Sequence, residues 1–323
     1  MGISGRRGAV RAAVVLAVGA ALSFPSFADA PLVVGKAAAT ADAIIPVNVG
    51  DQLGMFKRHG IDLKIVDFEG GGRMMQAMVA GSIDIADGAG TQMAFVAKGA
   101  PMLAVCENTS TLPYFSVGVP WDSPITGMDG LKDKKIGVSS TGSLTDWLAQ
   151  ELARKKGWGP EGVTRVAIGA GVAPITAAFR THLIDAYIGG TTTFLTMAEK
   201  KAARVLFPVS DYEGGIASGT LFASNSLIAT RPDILRAFLA AWLETTSFIR
   251  THKAETVKIE SGITGYSESV MAQEYDIAVG MFTSDCKFDA DSLATLKRSF
   301  VELGLLTTPP DMSKLYSEAY LPH

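Results

Sequence analysis

Apolar positions along this chain follow two periods, and the two periods take turns. Residues 61–68 alternate apolar and polar, the spacing of a half-buried strand. Stretches 31–37, 83–86 and 102–106 also read as strands, while 41–57, 73–80 and 91–98 carry apolar residues at helical spacing. The order then repeats. Strands are predicted at 135–138, 163–168, 184–187 and 205–208, and helices at 143–156, 174–180 and 193–200. Alternation of this kind predicts an α/β protein whose mostly parallel sheets are flanked by helices. A strand-like stretch follows at 219–230, and from Pro232 onward the pattern is mainly helical, with one long helix over 233–250.

The two halves of the pattern resemble each other in detail. Gly70, Ala77, Ile83, Asp84 and Gly88 recur 101 residues later as Gly171, Ala178, Ile184, Asp185 and Gly189, and Gly35 matches Gly137 at an offset of 102. This points to two lobes on one plan. The first is discontinuous, 31–112 with 218–323, and the second is continuous, 113–217. Crossings near 110–114 and 214–219 contain small residues or proline, as hinge segments do. Asp84 and Asp185 are expected to bond the backbone of neighbouring turns.

The N-terminus stands apart from this pattern. Arg6, Arg7 and Arg11 precede an uncharged apolar stretch at 12–22, and Ser26-Phe27-Ala28 offers small residues for cleavage, so residues 1–28 read as an export signal peptide cut near Ala28. Its removal takes three arginines and no acid, and moves the formal charge from -3 to -6. That balance gives no electrostatic reason to expect nucleic acid as a partner. No later segment reaches the ~20 apolar residues of a membrane helix. Cys106 and Cys286 could pair in an oxidising compartment or remain separate buried thiols. With His59, His182, His252 and His323 they offer no metal-ligand spacing.

Candidate chemistry sits in the loops between strand ends and helix starts, the carboxyl edge where open α/β sheets bind ligands. In the first lobe these loops contribute Thr40, then Gly71, Gly72 and Arg73, then Gly90 and Thr91. In the second they contribute Ser140, Thr141, Gly142 and Ser143, then Gly190 and Thr191. Glycine permits close approach of the backbone, helix N-termini favour a polar or anionic group, and hydroxyls add adjustable hydrogen bonds. Arg73 is the charged candidate. Gly169-Ala170-Gly171 lacks the third glycine of a dinucleotide fingerprint, because Pro174 takes that place. No hydrolase, zincin or Walker motif is present.

Residues 46–63, with Gly54 and Phe56 leading into Gly60-Ile61-Asp62, the run 70–84, and the run 131–138 together resemble the substrate-binding proteins of ABC importers of the nitrate, sulfonate and taurine type, including thiamine-pyrimidine synthase-like proteins. The resemblance covers nearly all of the chain after the leader. It implies a two-lobed type II periplasmic-binding-protein fold that closes on a sulfonate-, nitrate-, carboxylate- or pyrimidine-like solute. It further implies a periplasmic location, a monomer without cofactor or membrane insertion, and an ABC permease with its ATPase subunit as partners. The alternatives are a sensing receptor of a non-ABC system and an enzyme of the thiamine-pyrimidine synthase kind, whose cysteine-rich motif this sequence lacks.

Overall fold

The structure, a computed structural model, describes residues 1–2, 30–39 and 45–322. The expected leader and Thr40 therefore lie outside the described residues, apart from residues 1–2. All elements below belong to the unit Pro31–His323. The chain runs β1 (Leu32–Lys36), α1 (Pro46–Gln52), α2 (Met55–Arg58), β2 (Leu63–Asp67), α3 (Gly71–Val79), β3 (Ile85–Gly88), α4 (Met93–Ala97) and β4 (Met102–Thr111). It continues through β5 (Phe115–Pro120), β6 (Lys135–Val138), α5 (Leu144–Lys155), β7 (Thr164–Ala167), α6 (Val172–Arg180), β8 (Ala186–Gly190), α7 (Thr191–Glu199) and β9 (Ala203–Pro208). Then come β10 (Gly215–Ser224), α8 (Asn225–Thr230), α9 (Pro232–Thr251), α10 (Lys253–Thr264), α11 (Glu268–Ala278) and α12 (Ala290–Glu302).

Two five-stranded sheets result, ordered β2-β1-β3-β10-β4 and β7-β6-β8-β5-β9. Each has a parallel triplet, β2-β1-β3 or β7-β6-β8, extended by two antiparallel strands. The sheets are thus mixed, and the fold is the α/β arrangement the alternation predicts. Three details differ from the sequence reading. Of the helix expected over 41–57, residues 41–44 lie outside the described residues, and the rest breaks at Gly54, φ 66°, into α1 and α2. Strand β5 was not foreseen. Its centre is Gly118, where a Cβ would meet the Phe194 ring, and a glycine inside a strand blurs the β pattern. The strand-like stretch 219–230 divides into the end of β10 and the helix α8, which Ser224 caps by accepting the Leu227 N–H at 3.1 Å.

The repeat is visible as shared packing. Asp84 accepts the Val33 N–H at 2.9 Å, and Asp185 accepts the Lys135 N–H at 2.8 Å, so each aspartate holds the start of the central strand of its triplet. A Cβ on Gly35 would stand 2.6 Å from Ile83 Cδ1, and one on Gly137 2.7 Å from Ile184 Cδ1. Both glycines are needed because the isoleucine of the loop before the third strand packs flat against the central one.

The C-terminal third ties the sheets together. Cys106 on β4 forms a disulfide with Cys286, 180 residues away. Glu107 beside it accepts the Asp289 N–H at 2.9 Å and the Ser292 hydroxyl at 2.6 Å, which pins the start of α12 to the first sheet. Burial pushes the Glu107 carboxyl up to about 7, partly offset by those two bonds. The far end of α12 meets the second sheet's α5. Trp147 Nε1 donates to Glu302 at 3.0 Å, and Arg298 lies 3.3 Å from the buried Glu151. One apolar core accordingly runs from Met74 and Met75 through Leu296 and Phe300 to Trp147 and Ile136.

Candidate ligand-binding site

The carboxyl ends of the two parallel triplets face each other. At their meeting point glycines of helix starts let the opposite loop approach closely. Gly70 caps α3 at φ 128° and Gly171 caps α6 at φ 101°, conformations that only glycine adopts without strain. A Cβ at Gly70 would stand 2.9 Å from Ser140 Oγ across the gap, so the two sheets' loops are in contact there.

A cavity of about 110 Å³ lies between these loops. The first sheet's side supplies Ala37, Ala38, Gly70, Gly71, Ala89 and Gln92. The second supplies Ser139, Ser143, Thr145, Ala170, Tyr187 and Thr193. Tyr114, Phe115 and Ser218, at or beside the two crossings, complete the lining. No charged side chain lines it among the described residues. Helices α3, α5, α6 and α7 all begin at its wall, and their first-turn N–H groups have no partner within the helix. The lining is therefore mostly apolar, with hydroxyls, one amide and helix N-termini among it, a combination suited to enclosing small organic solutes.

The polar side chains of the wall are held in place. Ser139, Ser143 and Thr145 form a hydroxyl triangle with edges of 3.0 to 3.1 Å, and Ser143 also caps α5 by accepting the Asp146 N–H at 3.3 Å. Tyr187 donates its hydroxyl to the Gly169 carbonyl at 2.8 Å, and burial pushes its phenol up. Ser218 donates to the Thr111 carbonyl, and Thr109 lies 2.6 Å from its hydroxyl.

Charge lies behind the wall on both sides. On the second sheet's side the nearly buried Asp146 of α5 pairs with Arg165 of β7 at 2.7 Å. On the first sheet's side charged residues end the strands themselves. Lys36, 1% exposed, ends β1; its Nζ donates to the Ala39 carbonyl at 2.9 Å and stands 3.1 Å from Asp67. Its register partner on β3 is Asp87, fully buried, whose two carboxylate oxygens find no hydrogen-bond partner among the described residues. Burial raises the Asp87 carboxyl well above the usual range, and the Lys36 charge only partly opposes this.

Of the residues the sequence singled out, Gly71, Ser143 and Gly190 line the cavity. Gly72 and Ser140 sit where the facing loops touch. Gly90 packs against Ala217 and Leu296, and Thr91 accepts from Gln92 at 3.0 Å. Thr191 shares a 2.7 Å hydrogen bond with Ser116 and donates its N–H to the Tyr114 carbonyl, which secures the crossing. Gly142, at φ 75°, donates to Asp146 at 2.8 Å, and Thr141 is exposed. The Arg73 side chain is 67% exposed and pairs with Glu69 at 2.6 Å, outside the cavity lining. Gln92, Tyr187, Thr193, Thr145 and Ser218 line the cavity and were not singled out.

Solved structures share this architecture. The alkanesulfonate-binding protein SsuA from Xanthomonas axonopodis pv. citri, bound to MOPS, matches with a TM-score of 0.75 at 17% identity, over 90% of this chain and 98% of that one. The periplasmic nitrate-binding protein NrtA from Synechocystis PCC 6803 matches with a TM-score of 0.71 at 14% identity, over 90% of this chain and 86% of that one. The desulfurization enzyme DSZB matches with a TM-score of 0.60 at 15% identity, over 89% and 97%. The fold is that of the periplasmic binding proteins. The profile of the NMT1/THI5-like family matches residues 42–256, more than half of the chain, and the chain belongs to that family. A search of the curated proteins finds no match.

Proposed function

We propose that this chain is an exported solute-binding receptor of an ABC importer. In this reading 31–112 with 218–323 forms one lobe and 113–217 the other. They close on one small polar or anionic organic solute and present it to a permease, and the leader directs the protein to the periplasm. The observation that carries the reading is the cavity between the two sheets, walled by equivalent loops of both repeat copies. A wall built from two bodies couples occupancy to their approach, because a solute that touches both favours the closed arrangement. The binding proteins among the matched structures support the transport role. No described constellation in the wall pairs a nucleophile with a base, and both cysteines are held in the disulfide.

A thermal-shift panel of nitrate, alkyl and aryl sulfonates, taurine, aromatic carboxylates and pyrimidines tests the reading. A solute that binds only the folded state, at about a hundred times its Kd, stabilises by about 2.7 kcal/mol, a clear rise in Tm. A flat panel, together with no small molecule released when the purified protein is denatured, would overturn it.

A further inference from the structure

Gln92 differs from every other polar group of the wall in the way its amide is fixed. It follows β3, is 3% exposed, and faces the cavity from the first sheet's side. Its Oε1 accepts the Ala89 N–H. A backbone N–H can meet only the oxygen of the amide, so this contact settles which way the group points. Its Nε2 donates one hydrogen to the Thr91 hydroxyl at 3.0 Å. The second Nε2 hydrogen has no acceptor among the described residues.

Two glycines make room for this amide. A Cβ at Gly71 would stand 2.6 Å from Nε2, and one at Gly88 would stand 2.8 Å from Oε1. The amide is wedged between the start of α3 and the end of β3, with its nitrogen against Gly71, itself part of the wall. Flipping it would set the NH2 group against the Ala89 N–H, donor against donor. Gln92 is therefore a donor that cannot become an acceptor. The equivalent position in the second copy, 101 residues on, is Thr193, whose hydroxyl can play either part.

We infer that Gln92 sets the polarity of the site: it selects solutes that present a hydrogen-bond-accepting oxygen, as carboxylates and sulfonates do, and rejects an ammonium group. The inference rests on the receptor reading and names the residue that discriminates within it. The lining supports it from the other walls, because the helix starts also offer N–H donors and no lining carboxylate is present among the described residues to receive a cation.

Isothermal titration at pH 8 with benzoate, benzenesulfonate, methanesulfonate and benzylamine tests this, on the wild type and on Gln92→Glu and Gln92→Met. Glutamate keeps an acceptor for Ala89 but replaces the donor with a second oxygen. Wild type binds an anion and not the amine. In Gln92→Glu anion affinity falls about 10- to 100-fold, as loss of a hydrogen bond to a charged group does, and benzylamine gains affinity. Gln92→Met loses anion affinity without gaining the amine, which separates polarity from packing. Comparing carboxylate with sulfonate at equal ring size shows which oxyanion the site prefers. Anion binding unchanged in Gln92→Glu, or benzylamine bound more tightly than benzoate by the wild type, would overturn the role of Gln92 and leave the receptor reading intact. A wild type that binds neither anions nor amine, and releases no small molecule on denaturation, overturns both.

Discussion

The parallel triplets β2-β1-β3 and β7-β6-β8 share a scaffold and differ beneath the cavity wall. Shared are the aspartate at the start of the third strand, the central-strand glycine under an isoleucine, and the positive-φ glycine before a helix. The residues that end the strands differ. The first copy buries Lys36 and Asp87, whereas the second places Val138 and Ile188 at the equivalent positions, both in the apolar core. Burying charge costs stability unless it is paired and hydrogen-bonded. The first copy accepts that cost where Lys36 ties down the loop carrying Ala37 and Ala38; the second ties its loop from the following helix, where Asp146 accepts the Gly142 N–H at 2.8 Å and pairs with Arg165 at 2.7 Å. One plan thus supplies two walls: one anchored by a buried lysine at a strand end, and one with apolar strand ends whose loop is anchored by the aspartate of the next helix.

The largest test of this asymmetry concerns the disulfide, which has no counterpart on the second sheet. Changing Cys106 and Cys286 to Ala should cost about 2–5 kcal/mol in denaturant unfolding, because it frees a long loop in the unfolded chain and loosens α12. Glu107, beside it, gives a pH signature. Its folded carboxyl sits at about 7 against an ordinary 4.5, so the folded state holds the proton more tightly than the unfolded chain. The resulting stability is complete below pH 4.5 and is lost as pH rises through 7, roughly 3 kcal/mol in all. Unfolding free energies of Glu107→Gln should lack that decline.

Two smaller changes should affect both copies alike. Gly35→Val and Gly137→Val each overpack a strand against its isoleucine, at about 1–3 kcal/mol by urea midpoint. Unequal costs would show that the two contacts, alike in distance, differ in their freedom to relax. Asp84→Ala and Asp185→Ala each strand one N–H at a strand start, at about 1 kcal/mol. A larger loss at Asp84 would measure its additional ion pair with Arg231, 3.3 Å away.

Much of this architecture was legible in the sequence. The repeated Ile-Asp and glycine positions carry a packing requirement, and such requirements leave residue-level marks. Strand β5 left none, because Gly118 answers to Phe194 from a distant helix. The placement of Arg73 has a signal in the sequence: Glu69 four residues earlier, at the spacing of a surface pair at a helix start. Gln92 was hidden because glycines and hydroxyls drew the weight in its loop. Extending the offset of 101 residues beyond Gly88 and Gly189 would have aligned it with Thr193 and marked both as wall positions. The Cys106–Cys286 pairing depends on how the C-terminal segment returns to β4, which local pattern does not encode.

The central claim is that solute occupies the cavity between the two copies. Ala170→Trp tests it most directly, since Ala170 lies on a loop of the wall and its backbone needs no special conformation. The account predicts that the ligand-free Tm of the variant matches the wild type and that the solute-induced rise in Tm disappears. A full rise in the variant, for the solute that stabilises the wild type most, would place binding elsewhere and contradict the account.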